Sequence, residues 1–268
     1  MMANGFPLKN CRAVITGASS GLGAEFARQL APQAQSLVLV ARRADALEAV
    51  KNELQAFPVQ VFCCVADLAT DVGRNAVLAF LDAKGLKPNL LINNAGMGDY
   101  GDFASSSAEK TRTQIELNIT ALTMLTHALL PRLERPGGVL NVSSLASTLP
   151  MPDLAVYAAS KAYVTSFSEA LAVELAPQNI TVTCVCPGPT PTNFSQNAKR
   201  AVGTDTNREG QSLLRIPPTQ VVRRALGALQ QAEACVFPGA GVAIASRVFR
   251  LLPRGLLRVL LRWRHGKE

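Results

Sequence analysis

Short apolar runs alternate with longer amphipathic stretches along most of this chain. The short runs are rich in Val, Leu and Ile, as buried strands are, and the stretches between them have the spacing of one-sided helices. We predict strands near 12–16, 36–41, 58–65, 88–93, 137–143, 179–186 and 234–237, and helices near 21–31, 44–56, 70–84, 108–134, 155–176 and 217–231. This alternation predicts an α/β fold with one doubly wound parallel sheet and helices on both of its faces.

A single domain followed by a tail is the simplest organisation. The chain has 268 residues, of which 48% are hydrophobic and 17% charged, so it can bury a full core. No internal repeat or linker divides the sequence. We therefore predict one domain over residues 1–240 and a C-terminal amphipathic helical tail over 241–268.

The tail is basic as well as apolar. It holds seven Lys or Arg and one Glu, so most of the formal net charge of +8 lies there and does not indicate nucleic-acid binding. Its arginines recur every three or four residues, and Pro253 is predicted to break or kink the helix. No run reaches the roughly 18 uncharged apolar residues that could cross a bilayer. Two interpretations stay open: a helix lying on an anionic membrane, and a lid or partner helix.

The cysteines lie within or beside apolar strand segments, at positions 11, 63, 64, 184, 186 and 235. We predict buried thiols that pack as small hydrophobic groups. No Cys-x-x-Cys pair is present and the histidines are His127 and His265, so we expect no metal site. The first residues lack a signal-peptide pattern, and we expect a reducing, cytoplasmic location. Peripheral association with a membrane through the tail stays open.

Three glycines follow the first predicted strand. Gly17, Gly21 and Gly23 have the spacing Gly-x-x-x-Gly-x-Gly and lead into the first predicted helix. In this context glycines let the backbone turn sharply and approach a pyrophosphate at the helix N-terminus. We predict a dinucleotide site formed by Gly17, Ser19, Ser20, Gly21, Leu22 and Gly23; the alternative is a tight turn without a ligand.

The second predicted strand ends in Ala41 and is followed by Arg42 and Arg43. NAD sites usually have an acidic residue here to bind the ribose 2′-hydroxyl. Two arginines instead favour a 2′-phosphate, and therefore NADP(H) over NAD(H). The other interpretation is a solvated basic loop.

Tyr157 and Lys161 lie four residues apart in a predicted helix, so their side chains share one face. A neighbouring ammonium favours the phenolate and is expected to lower the pKa of the tyrosine. Such a pair is a general acid/base suited to interconverting a carbonyl and an alcohol.

Taken together, these features resemble the short-chain dehydrogenase/reductases from about Lys9 to about Phe237. Further motifs of that family follow in order, and here they are Asp67-Leu68, Asn93-Asn94-Ala95-Gly96, Asn118, Asn141-Val-Ser-Ser144 and the segment from Pro187 to Thr192. The resemblance implies a Rossmann-type fold and an NADP(H)-dependent oxidoreductase. It also implies a homodimer or homotetramer formed through the helices at 108–134 and 155–176.

The resemblance implies Asn118, Ser144, Tyr157 and Lys161 as catalytic residues. Ser144 is chosen over Ser143 because the family's serine lies thirteen residues before the tyrosine, and Ser143 would face the other side of a continuing strand. The implied cofactor-binding residues, besides those of the glycine segment, are Arg42, Arg43, Asp67, Leu68, Asn94, Ala95, Gly96, Tyr157, Lys161, Pro187, Gly188, Thr190 and Thr192.

In the implied mechanism, Tyr157 gives a proton to the carbonyl oxygen and Ser144 hydrogen-bonds that oxygen. Lys161 lowers the tyrosine pKa and holds the nicotinamide ribose. Asn118, through its backbone and a water, connects Lys161 to a proton relay, and Thr192 binds the nicotinamide carboxamide.

By family position, Met97, Leu145, Leu149, Met151 and the loop from Asn193 to about Ile216 line the substrate pocket. Their apolar character favours an apolar carbonyl or alcohol as substrate. Two other functions stay open: a non-catalytic NADP(H)-binding sensor, and a membrane-surface protein that acts through its C-terminal tail. The sensor is disfavoured because relatives of that kind usually lose the tyrosine or the lysine, and this chain keeps both.

Overall fold

The structure, a computed structural model, describes residues 5–192, 194, 198 and 214–265, with the backbone alone at 254, 260 and 263–265. Most of the loop predicted to line the pocket between 193 and 216 lies outside these residues.

The described residues form one sheet of seven parallel strands, in the order β3-β2-β1-β4-β5-β6-β7. Each strand lies within a predicted segment, and the fold class is confirmed. The strands are β1 (Arg12–Thr16), β2 (Ser36–Ala41), β3 (Gln60–Val65), β4 (Leu90–Asn93), β5 (Gly137–Val142), β6 (Ile180–Val185) and β7 (Cys235–Val236).

Helices connect the strands and extend beyond the last one. They are α1 (Gly21–Leu30), α2 (Ala44–Glu53), α3 (Asp71–Ala83), α4 (Ala108–Ile115), α5 (Leu122–Leu129), α6 (Ala155–Leu175), α7 (Pro218–Gln230), α8 (Ala240–Leu251) and α9 (Arg254–His265). Short 3₁₀ turns occur at Phe103–Ser105, Leu130–Arg132, Leu145–Thr148 and Ala176–Gln178.

The predicted helix over 108–134 is not one regular helix. A π-helical turn, Glu116–Ala121, joins α4 to α5, and the last turn tightens to 3₁₀ geometry at Leu130–Arg132, where Pro131 has no N–H to continue the helix.

Alternate residues of the strands face opposite layers of helices. In β1, Ala13 and Ile15 pack in the core cluster that contains Phe26 of α1, whereas Val14 packs with Val77 of α3 on the other face. This period of two, repeated in β2 and β4, explains why the strands are apolar throughout.

The strand order reverses at β1, which has β2 on one side and β4 on the other. A crevice opens at such a reversal, beyond the carboxyl ends of the strands, where ligands bind in open α/β sheets. All the predicted site residues follow the carboxyl ends of strands or lie on the helices that start there.

The tail forms two helices, α8 and α9, separated by Pro253, as its sequence predicts. Val242, Ser246 and Leu257 are buried, and the Arg250 guanidinium lies 5.3 Å from the ring centroid of Phe237, so one side of the tail packs on the domain. Ile244, Val248 and Leu251 stay exposed. None of the described helices is both long and apolar enough to cross a membrane.

Candidate active site

The glycine turn after β1 requires glycine for two separate reasons. Gly17 and Gly21 have φ values of +64° and +56°, a region that other residues rarely adopt. Gly23 has an ordinary φ but no space, because a Cβ there would lie 2.2 Å from the carbonyl oxygen of Gly17. The turn is therefore closed tightly against the first turn of α1.

The same turn is braced from β4. The Thr16 hydroxyl accepts hydrogen bonds from the backbone N–H groups of Asn94 (2.9 Å) and Ala95 (3.0 Å) and donates to the Ile92 carbonyl (3.2 Å). The Asn94 amide donates to the carbonyls of Thr16 and Gly17. These contacts span the reversal point of the sheet and fix the two loops relative to each other.

The N-terminus of α1 suits a phosphate. Ser20 occupies the N-cap position, yet its side chain makes no capping hydrogen bond, so the first N–H groups of the helix remain to bind an anion. Thr192 lies beside this turn, since a Cβ on Gly21 would be 3.4 Å from Thr192 Cβ. A cleft of about 380 Å³ opens here, lined by Gly21, Glu25, Arg28, Pro191, Thr192 and residues 217–219.

Four further predicted cofactor-binding residues lie just beyond the ends of β2 and β3. Arg42 and Arg43 are exposed, and neither has an ion-pair partner among the described residues. Asp67 is exposed and its carboxylate accepts from the Ala69 N–H, whereas Leu68 is buried. Two guanidinium groups and one carboxylate thus face solvent beyond two neighbouring strands.

Tyr157 lies in the first turn of α6, close enough to Ser144 at the end of β5 for the serine hydroxyl to affect its pKa. Burial raises the pKa of Tyr157 to about 12, and the interaction with Ser144 opposes this shift. The phenol is therefore protonated at neutral pH, near the serine hydroxyl that the family resemblance selects.

Lys161 lies one turn further along α6 and is buried. Its Nζ donates to the Val142 carbonyl at 2.9 Å and lies 5.8 Å from the ring centroid of Tyr157. Burial lowers the pKa of Lys161 to about 8. In the protein alone the pKa of Tyr157 is raised, because the cost of burying a phenolate outweighs the opposing interaction with Ser144. The lowering effect expected of Lys161 stays a prediction.

Ser143 and Ser144 make different contacts. The Ser143 hydroxyl is buried, donates to the Lys161 carbonyl at 2.8 Å and lies 2.8 Å from Thr165 Oγ1. Ser144 caps the following 3₁₀ turn by accepting from the Ala146 N–H. Ser144 therefore faces the site, and Ser143 anchors the helix that carries Lys161.

Asn118 lies in the π-helical turn and is buried. Its side chain accepts from the Met97 N–H (2.9 Å) and donates to the Met97 carbonyl (2.9 Å) and to Ser160 Oγ (3.0 Å). These bonds occupy the carboxamide, so only the main chain remains for the relay role that the resemblance implies. A π-turn is common at functional sites because it displaces backbone groups from the regular ladder.

Near the other predicted nicotinamide contacts, the Leu145 N–H donates to the Pro187 carbonyl at 2.8 Å, which ties the serine loop to the segment after β6. Gly188 leaves no space for a side chain, because its Cβ would lie 2.7 Å from Val242 of α8. Thr190 donates to the Gly188 carbonyl. The Phe194 ring covers the tyrosine, with a centroid distance of 5.5 Å.

Several supporting residues were missed by sequence reasoning. Thr16 holds the glycine turn through its hydroxyl, and Ser160 accepts a hydrogen bond from Asn118. Thr126 and Ser168 bind two asparagines that the family motifs include without a stated role: Asn93 donates to Thr126 and Asn141, and Asn141 donates to Ser168. A threonine ending a buried strand is the only signal that could have pointed to Thr16. The others depend on contacts between distant segments.

Comparisons with known proteins agree with this geometry. A family model described as short chain dehydrogenase matches residues 12–203. The chain is 36% identical over 187 residues to the very-long-chain 3-oxoacyl-CoA reductase of Kluyveromyces lactis, a match that covers 66% of this chain and 54% of that protein. It is 33% identical over 278 residues to dehydrogenase/reductase SDR family member 7B of Bos taurus, covering 97% and 83%.

Among solved structures, a short-chain dehydrogenase from Sphingobium yanoikuyae in complex with NADPH superposes with a TM-score of 0.77 at 31% identity, covering 92% of this chain and 95% of that one. The seven-stranded sheet, the glycine turn and the match over most of the chain lead to one conclusion: this protein belongs to the short-chain dehydrogenase family of oxidoreductases.

Proposed function

We propose that this protein is an NADPH-dependent reductase that converts the carbonyl group of a small apolar molecule to an alcohol. The observation that carries the proposal is the position of the Tyr157 phenol, near enough to Ser144 to be affected by it and one helical turn from the buried Lys161. A proton donor and an oxyanion-stabilising donor thereby meet at the carboxyl end of β5.

The residues present fit a nicotinamide dinucleotide. The uncapped start of α1 and the side-chain-free surface at Gly21 would hold the pyrophosphate, and Thr192 lies against them. When bound, NADPH supplies the hydride. The protein's part is then to orient the substrate oxygen, donate a proton to it and stabilise the charge that forms on it.

Each polar group of the site has one proton role. Tyr157, protonated because its pKa is raised, gives its proton to the oxygen of the substrate. Ser144 donates a hydrogen bond to the same oxygen. Lys161, whose pKa is lowered to about 8, stays mostly protonated at neutral pH and can reprotonate the tyrosine by way of the Asn118 backbone relay. This arrangement favours carbonyl reduction.

The preference for NADPH rests on Arg42 and Arg43. Related structures hold NAD or NADP(H), so family membership alone does not separate the two. Both arginines are exposed at the end of β2, where the 2′-substituent of the adenosine ribose would lie, and guanidinium groups recognise phosphate in bidentate fashion.

Arg42→Asp is expected to weaken NADPH binding roughly 10- to 100-fold, the effect of losing one charge-assisted contact, while NADH binding changes little. Cofactor fluorescence titration measures both affinities. Lys84→Asp is the matched control, because this exposed lysine undergoes the same charge change at the far end of α3. Equal losses for both cofactors in Arg42→Asp would refute the 2′-phosphate role.

An apolar substrate is supported by the half-buried Met97 and Met151, the buried Leu145 and the Phe194 ring over Tyr157. NADPH oxidation against a panel of ketones and aldehydes of increasing chain length tests this. Higher kcat/KM with longer apolar groups is the expected result, and a preference for small charged aldehydes would overturn the substrate class.

We propose as a second property that the tail lies on anionic membranes. Ile244, Val248 and Leu251 form one exposed stripe of α8, and the exposed Arg247 flanks it. Because Val242 and Leu257 are buried against the domain, deleting the tail would disturb the core, and a point substitution is the better test.

We still expect a homodimer or homotetramer. The expected interface is formed by α4, α5 and α6, which expose Ile115, Met124 and Val173.

Val248→Glu is expected to abolish most co-sedimentation with phosphatidylserine-containing vesicles, while the unchanged protein binds these and not neutral vesicles. Val72→Glu, at an exposed valine on α3, is the control. Equal sedimentation of all three proteins would contradict membrane contact through the tail.

A further inference from the structure

Three cysteines, two of them at the end of β6 and the third 49 residues beyond Cys186, converge beneath α6. Cys184 lies on β6, and Cys186, two residues further on, directly follows the end of this strand. Cys235 lies on β7, where it pairs in register with Cys184. Their sulfur atoms all lie within 4.8 Å of one another, and two of the separations, 184 to 186 and 186 to 235, are 3.8 Å.

The two separations of 3.8 Å match those between sulfurs bound to one metal ion. Zinc–sulfur bonds of about 2.3 Å in tetrahedral geometry put the sulfurs about 3.8 Å apart. Thr165 Oγ1 lies 3.6 Å from the sulfur of Cys186 and 3.9 Å from that of Cys184, so an oxygen atom lies beside two of the three sulfurs. A small adjustment of the side chains would give each donor a normal bond to a central ion.

From this geometry, we propose that Cys184, Cys186 and Cys235, with Thr165, form a binding site for a thiophilic divalent cation of the zinc group. Three thiols lose their protons to solvent as three metal–sulfur bonds form, and no oxidation is involved. The site carries one net negative charge when filled. Lys161, which interacts electrostatically with Cys184 and Cys186, offsets that charge.

The surroundings favour an ion with a structural effect. Cys184 and Cys186 are fully buried, whereas Cys235 is half-buried and gives access from the surface. The strand β7 has only two residues, so few backbone hydrogen bonds hold the sheet edge. An ion bound by β6, β7 and α6 would cross-link this edge. Our sequence-based expectation of no metal site considered histidines and local motifs. It did not consider a cluster whose cysteines come from before and after α7 in the chain.

Titrating the fully reduced, full-length protein with Cd²⁺ and Zn²⁺ tests the proposal. We expect one ion per chain, a thiolate-to-metal charge-transfer band with Cd²⁺, and a rise in melting temperature. Cys235→Ser is expected to weaken binding about 100-fold or more, since loss of a ligand should exceed the 10- to 100-fold effect of outer-shell changes. Cys63→Ser, which alters another half-buried cysteine outside the cluster, should bind like the unchanged protein.

A second measurement needs no variant. One equivalent of Cd²⁺ should protect Cys235 from alkylation and leave Cys63 as reactive as before. Peptide mass spectrometry measures the extent of alkylation at each cysteine. Absence of stoichiometric binding, or equal protection of both cysteines, would overturn the proposal.

Discussion

Tyr157→Phe is expected to lower kcat for carbonyl reduction about 10²- to 10⁴-fold, the usual contribution of a positioned proton donor. The substitution removes one oxygen atom and keeps the ring that packs against Phe194. Because the tyrosine lies away from the glycine turn, NADPH affinity should stay within about twofold of the original value, well below the roughly tenfold effect of losing 1.4 kcal/mol. Initial rates of NADPH oxidation and a cofactor titration measure the two quantities.

Tyr163→Phe is the control for this experiment. It removes the same atom from the same helix, where the Tyr163 hydroxyl lies 2.9 Å from Thr123 Oγ1 on an exposed surface. Activity should be unchanged in this variant. Retention of full turnover in Tyr157→Phe would eliminate the proposed mechanism, whereas loss of both turnover and NADPH binding would point to a structural role.

Gly23→Ala is expected to destabilise the protein by about 1–3 kcal/mol and to weaken NADPH binding about 100-fold. The added Cβ would lie 2.2 Å from the Gly17 carbonyl oxygen and 2.6 Å from the Asn94 amide nitrogen. The turn must shift to relieve these contacts, and the start of α1 shifts with it. Thermal unfolding and cofactor titration separate the two effects.

Gly227→Ala makes the same change inside α7, where no atom lies within 4 Å of the new Cβ. Here the higher helix propensity of alanine should stabilise the protein by about 0.5–1 kcal/mol. We therefore expect the free energy of unfolding to fall in Gly23→Ala and to rise in Gly227→Ala. A neutral or stabilising Gly23→Ala would mean that the glycine turn is looser than its contacts indicate.

The sheet was predictable because its strands are apolar on both faces and alternate with helices. The edge strand β7 is the weakest case, since only Cys235–Val236 pair with β6 within the longer predicted segment 234–237. The π-turn around Asn118 was not predictable. Its local sequence is that of an ordinary helix, and the Asn118 side chain is held by Met97 from another loop.

The candidate site also has features that the sequence predicted and features that only the structure showed. Spacing put Tyr157 and Lys161 on one face of a helix, and the family resemblance gave that pair its catalytic role. The resemblance, together with strand alternation, chose Ser144 over Ser143. Spacing did not give the protonation states. Burial raises the pKa of Tyr157 and lowers that of Lys161, and burial is a property of the packed chain.

The sequence by itself determined the local features: the order of strands and helices, the glycines that only a tight turn requires, and the residue types of the catalytic set. These depend on backbone preference and periodicity over a few residues. The tertiary structure alone decided which distant groups meet. Thr16 reaches Asn94 and Cys184 reaches Cys235 because parallel strands align their carboxyl ends and side chains across the sheet. Such contacts join segments about 50 to 80 residues apart, and their energies depend on packing that no short stretch of sequence encodes.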